Sequence, residues 1–266
     1  MTKKYSFNSI LCSAFLVSAF SCQPLLAHVN IAALGAPPSK ASHYKSGVYL
    51  GVQEGLSYMS GRMSDTWDPN DPLFNTTAHS SDKSVSNATL VSEVMIGGRY
   101  LCSNGFFPGV EVAFSFANHR LTNTFFFTEP GLGNLPGLFN PTLERRSVII
   151  PSLVLGWAFK NNFHVFAKLG LGISRFKTKV SVVENNNLHE IRSFSKNETK
   201  YSFAPSVGVE YALSPHFSIV GTLSYERYKE SQLISRANTG GAPEDINRFR
   251  IKPSIFTQKI GLLIKI

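Results

Sequence analysis

What this 266-residue chain has little of narrows its class before any motif is sought. It holds three cysteines, and Cys12 and Cys22 both lie in its N-terminal stretch. If that stretch is removed, Cys102 alone remains, which builds neither a disulfide framework nor a CxxC metal site. Charged residues make up 16% of the sequence, against about 25% in an ordinary soluble domain. Either its apolar surface does not face water, or something other than charge keeps it dispersed. No apolar run reaches 18 residues, so no transmembrane helix is expected. Phosphate-loop, HExxH and GxSxG motifs are missing as well.

The N-terminus has the pattern of an export signal. Lys3 and Lys4 precede an apolar run over 10–20, about the length of a signal-peptide core and too short to span a membrane. Cleavage is expected near Ala27, although Leu25 is larger than the small residue usual two positions earlier. Cys22 as a lipoprotein anchor is the alternative, which Phe20 and Ser21 fit poorly. The expected divisions are a signal peptide over 1–27, a short periplasmic lead over 28–46 and one domain over 47–266. The net charge of +9 suits an anionic partner. For an exported chain, lipopolysaccharide phosphate fits that description better than nucleic acid.

From residue 47 onward, apolar and small residues alternate with period two, the pattern of half-buried strands. Val48, Leu50, Val52, Leu56 and Tyr58 share one face, which Glu54 alone breaches. Val94 and Ile96, Val110 to Phe116, Ile149 to Phe159, Val165 to Ile173, Tyr201 to Tyr211, Phe217 to Tyr225 and Ile260 to Ile266 repeat the theme, giving eight strands. The opposite face is mostly Gly, Ser and Ala with a few charges of both signs. A water-facing side would be richer in Lys, Thr, Glu and Gln, whereas small residues suit the lumen of a narrow barrel. Charges inside must pair. The expected lumen network is Glu93, Glu111, Glu210 and Glu226 with Arg99, Lys168 and Lys259, in pairings the sequence leaves open.

Connection lengths add a second signal. Short turns at 103–105, 160–162 and 214–215 alternate with long segments over 62–88, 122–144, 179–198 and 231–249. Short periplasmic turns and long outer loops are the habit of bacterial outer-membrane barrels. The expected fold is therefore all-β: an eight-stranded antiparallel transmembrane up-and-down barrel with four long extracellular loops. Such a barrel fills its own interior, so at most a narrow channel is expected.

With Gly47-Val48-Tyr49-Leu50-Gly51, Lys168-Leu169-Gly170-Leu171-Gly172 and a closing strand over 258–266, the chain resembles the small opacity-type and OmpA-type outer-membrane barrels over about 47–266. It departs from them in ending Lys265-Ile266, where such barrels commonly end on an aromatic residue. The resemblance implies a structural and surface-interaction role, adhesin-like or opacity-like, in the outer membrane of a Gram-negative bacterium. No enzymatic activity and no cofactor are expected.

The residues support that role through charge and apolarity. Arg62, Arg120, Arg145, Arg146, Lys177, Lys179, Lys200, Arg227, Lys229, Arg248 and Arg250 cluster where strands meet the long segments. That side of the membrane carries lipopolysaccharide phosphates, which favour arginine forks. Phe125, Phe126, Phe127, Leu138 and Phe139 form a candidate loop interaction patch, because exposed apolar clusters usually mark contacts. The segment over 80–87 looks like a solvated loop.

Two alternatives remain. His216 and Ser218 could serve a lipid A-modifying enzyme, since serine needs a base to become nucleophilic. Alternatively the chain could be a soluble secreted barrel that binds an apolar ligand in its lumen. His119 and His189 are read as solvated rim residues, and Asp65, Asp68 and Asp71 miss the spacing of a calcium loop, so no metal site is expected.

Overall fold

Alternation at period two requires each strand to show one set of side chains to either side of a sheet. In the computed structural model that sheet closes on itself. The structure describes residues 46–68, 79–129, 135–159, 162–184, 190–237 and 245–266. The expected signal peptide and nearly all of the lead lie outside the described residues.

Ten antiparallel segments make the wall: β1 (Gly47–Asp68), β2 (His79–Arg99), β3 (Phe106–Thr122), β4 (Phe125–Glu129), β5 (Leu135–Ala158), β6 (Phe163–Glu184), β7 (Glu190–Ala212), β8 (Phe217–Tyr228), β9 (Ser231–Ala237) and β10 (Asp245–Lys265). β4 continues β3 along β5, and β9 continues β8 along β10, so the segments form eight staves. β10 pairs back onto β1 from Tyr49↔Lys265 to Asp68↔Ile246.

The register fixes the tilt. Stepping across paired residues leads from Gly47 through Arg99, Gly109, Val154, Lys168, Ser206, Ser224 and Thr257 back to β1 at Ser57. The path returns ten residues further along the strand it left, a shear of 10. Eight staves with that shear lie at roughly 40° to the barrel axis. Each step to a neighbouring stave therefore changes height by a little over one residue.

The apolar face points outward. Val48, Leu50, Val52, Val94, Leu153, Leu169, Val207 and Leu262 are all exposed, and Leu90 keeps 74% of its surface. Tyr100, Phe163, Tyr211 and Phe217 ring this belt at the turn end, and Phe116, Tyr201, Phe203 and Tyr225 ring it at the other. On β1 the belt runs from Val48 to Tyr58, about the number of residues a tilted strand needs to cross the hydrocarbon. The reading of a soluble barrel with an apolar ligand inside is thereby corrected: the lipid-like face is outside. Val207 stands near the middle of the belt. Val207→Arg is expected to cost about 2–4 kcal/mol of stability, the depth-dependent cost of a cation facing lipid. Denaturant titration in lipid vesicles measures it, and an unchanged midpoint would contradict the placement of the belt.

At the turn end, Gly105 takes φ 91° and Asn162 takes φ 59°, left-handed positions that Gly and Asn accept. Asn104 Oδ1 accepts the Phe106 amide at 3.0 Å and closes the first turn. At the other end the sequence reading needs correction. Most of 62–88, 122–144, 179–198 and 231–249 is strand, including 80–87, and the hairpins continue well above the belt. Above lipid the outer side of a strand meets water, so residues 82–88 carry no apolar/polar contrast to betray it. The connections over 69–78, 130–134, 185–189 and 238–244 lie outside the described residues.

Candidate functional site

Inward positions of the staves bring the lumen charges together. Lys168 donates to Glu111 Oε1, and the Tyr49 hydroxyl donates to Oε2 of the same carboxylate at 2.6 Å. Arg99 donates to Glu210, with Lys265 Nζ 2.8 Å from the other Glu210 oxygen. Lys259 pairs with Glu93 at 2.5 Å. The seven residues expected in the lumen network lie at inward positions, and each of its four carboxylates has a cation within reach. Glu226 draws its partner from elsewhere: Arg145 Nη2 forks across Oε1 at 3.0 Å and Oε2 at 2.9 Å, and the Tyr228 hydroxyl also donates to it.

Arg145 was expected on the outer rim and is instead 4% exposed inside the barrel. The cause is a bulge: β5 spends three steps from Arg145 to Val148 where β6 spends two, from Phe176 to Ser174. The extra residue reverses the parity of β5, turning Arg145 in and Arg146 out. Lys200 is likewise buried. Its Nζ donates to the carbonyls of Glu230 at 2.8 Å and Lys229 at 3.4 Å, which the break between β8 and β9 frees from the ladder. His119, read as a solvated rim residue, is also buried.

Alternation could have added Tyr49 and Lys265 to the network, since both lie on the small-residue face. Arg99 also sits over the Tyr49 ring, 4.3 Å from its centroid, a contact that neutralises no charge but suits a desolvated guanidinium. Two apolar clusters complete the filling. One, near the turn end, packs Met95, Phe107, Val154, Phe166 and Leu263. The other lies at the outer end and includes Met59, Leu121, Phe125, Leu143, Phe176 and Phe249. The space left among Met63, Phe125, Leu143 and Phe249 is about 10 Å³. That is at the lower limit for holding one water, so the cluster is closely packed there.

Phe125 therefore belongs to the plug and not to a surface patch. Phe126, Phe127, Leu138 and Phe139 continue the β4–β5 pairing, and their side chains lie outside the described residues. The proposed His216–Ser218 pair does not form. His216 is exposed at the turn with Nδ1 3.2 Å from the Lys265 carbonyl oxygen, whereas Ser218 is buried. Asp65 is buried. Asp71, His189 and the side chain of Asp68 lie outside the described residues.

The outward cations remain as a collar above the belt. Arg62, Arg120, Arg146, Lys177, Lys179, Arg227, Lys229 and Arg250 are exposed, and Arg248 is half-buried. Some are partly neutralised: Arg62 meets Asp82 at 2.5 Å, and Arg250 lies 3.8 Å from Glu230. Burial pulls the Glu198 carboxyl upward in pKa. Hydrogen bonds from Lys196 and Ser231 and the Lys200 charge outweigh it and leave the group below its ordinary value. Arg227, Lys229 and Lys252 stand together without an ion pair among the described residues. They border an open notch of about 370 Å³ whose other walls include Phe203, Pro205 and Tyr225. Lys252 was not singled out from sequence. It faces Arg62 across the β1–β10 seam, which only closure of the barrel brings together.

A closed, self-filled barrel with an outward apolar belt between aromatic rings defines the class: a transmembrane β-barrel of the bacterial outer membrane. The model of the outer membrane protein beta-barrel domain matches residues 29–249, and the chain belongs to that family. Comparison with curated proteins finds no match. Among solved structures, OprG from Pseudomonas aeruginosa is 14% identical, covering 85% of this chain and 99% of its own, with a TM-score of 0.44. The outer membrane protease OmpT from Escherichia coli is 9% identical, covering 82% and 97%, with a TM-score of 0.43. Neisserial surface protein A is 13% identical, covering 79% and 97%, with a TM-score of 0.33.

Proposed function

We propose that this barrel is a non-catalytic surface protein that holds lipopolysaccharide through its basic collar and meets other cells or host molecules through its outer hairpins. The observation that carries the reading is the notch of Arg227, Lys229 and Lys252 at the outer aromatic ring. Cations there stand at the level of lipid phosphates, while Phe203 and Tyr225 offer apolar walls to the acyl chains below. Guanidinium and ammonium groups with no ion pair among the described residues can bind phosphate with charge-assisted hydrogen bonds. The buried ion pairs do not compete for the ligand, because they satisfy one another inside.

The triple variant Arg227→Ser, Lys229→Ser, Lys252→Ser is expected to weaken retention of lipopolysaccharide by tenfold or more, about 1.4 kcal/mol. Arg62→Ser, which removes an already paired cation, is the comparison and should change it little. Equal loss in both variants would overturn the assignment of the notch. Orientation is checked separately in a Cys102→Ser background with a membrane-impermeant maleimide. Ser84→Cys on β2 should label in intact cells, and Asn104→Cys at the opposite turn only after lysis. The reverse pattern would remove the collar from the lipopolysaccharide side.

A further inference from the structure

Glu54 is exposed on the outside of β1, between Val52 and Leu56 and well within the apolar belt. Between the two aromatic rings, the outward positions of the described staves carry no lysine or arginine. Their polar side chains are Glu54, Ser92 and Gln258. Ser92 Oγ donates to Glu54 Oε2 at 2.8 Å, which leaves most of the carboxyl's accepting capacity facing hydrocarbon. An ionisable side chain in that position is costly unless a donor meets it.

The register places a matching donor on the neighbouring stave. Glu54 pairs with Ile260 on β10, but one step from β1 to β10 lowers the height by a little over one residue. Gln258, the next outward residue toward the cell surface, therefore stands within about one residue of the height of Glu54. Acceptor and donor lie side by side on β1 and β10, as a self-complementary pair requires.

We propose that a second copy of this chain docks on the β1–β10 face, related by a two-fold axis along the membrane normal between those staves. Such an axis sets β1 of one copy opposite β10 of the other. Each Glu54 carboxyl then receives the Gln258 amide of the second copy, and the contact occurs twice, as an isologous interface demands. The flanking staves fit as well. β2 comes opposite β8 of the second copy, and the same walk around the wall puts Ile96 at the height of Gly221. At Gly221 an added Cβ would meet nothing nearer than 3.7 Å, so Ile96 projects into a hollow. Small, recessed positions opposite protruding ones are what close packing between membrane surfaces uses.

The test uses the full chain in its membrane with Cys102→Ser. Val52→Cys lies close to the axis and Leu169→Cys on the far side of the barrel. A short bis-maleimide should link the first into dimers and leave the second monomeric. In lipid vesicles, Glu54→Leu and Gln258→Leu should each raise the dimer dissociation constant tenfold or more. Glu54→Leu should at the same time leave the denaturant stability of the monomer unchanged or raised, because a carboxyl leaves the lipid face. No cross-link at Val52→Cys, equal cross-linking at both positions, or linkage only to a different protein would overturn the proposal. Undiminished dimerisation of Glu54→Leu would do so too.

Discussion

Arg145→Leu is expected to destabilise the barrel by about 3–5 kcal/mol, the cost of leaving a buried carboxylate without its cation. Glu226 would keep only the hydroxyl of Tyr228 in place of the two forked contacts it now receives. Ser174, which accepts from Arg145 Nε at 3.1 Å, would lose that donor as well. Arg146→Leu, one residue along, should stay within about 0.5 kcal/mol, because Arg146 is an exposed side chain 3.9 Å from Glu144. The double variant Arg145→Leu with Glu226→Leu should recover most of the loss, since replacing both partners leaves no orphan charge. Unfolding in lipid vesicles followed by Trp157 fluorescence measures all three. Equal effects at Arg145 and Arg146 would mean that the bulge does not turn β5 as described.

Phe176→Ala should cost a comparable amount, about 3–5 kcal/mol, for a different reason. Its ring is 1% exposed and meets the Tyr228 ring edge-on, with centroids 4.8 Å apart. Truncation removes apolar contacts and leaves a cavity that the closed wall cannot collapse to fill. It also takes away the packing that holds the Tyr228 hydroxyl on Glu226, so the effect should be less than additive with Arg145→Leu. Lys177→Ala, pointing outward from the next position, is the control. A loss at Phe176 below about 1 kcal/mol, the level of a minor core trim, would show that the outer cluster is loosely packed.

Much of this was legible in the sequence because a sheet has an integral period. Once Val48, Leu50 and Val52 share a face, the pleat decides where Tyr49, Gly51 and Gln53 go. The same logic put Glu111, Lys168 and Glu210 inside, and it exposed Glu54 as the exception on the outer face. What escaped were features that break the period or lie beyond its contrast. The bulge before Val148 adds a residue that no local composition announces, so Arg145 was assigned to the wrong side. Lys200 needed no bulge: it lies on the face of Ser202, and its proximity to the rim obscured that. The upper hairpins looked like loops because neither of their faces meets lipid. Phe125 looked exposed for a related reason, since β4 prolongs β3 and its first residue turns into the plug. The grouping of Arg62 and Lys252 depends on how the last stave closes on the first.

The length of the staves also sets how far this protein reaches from the cell. β1 has 22 residues, and at roughly 3.3 Å per residue and 40° of tilt it rises about 55 Å along the barrel axis. The apolar belt accounts for about 25 Å of that height. Roughly half of the wall therefore stands clear of the bilayer as continuous hydrogen-bonded sheet. Among the described residues, the outer half of the wall is thus a stiff column of paired strands. Sequence changes in the outer half of that column could accumulate without disturbing the charges that hold the base together.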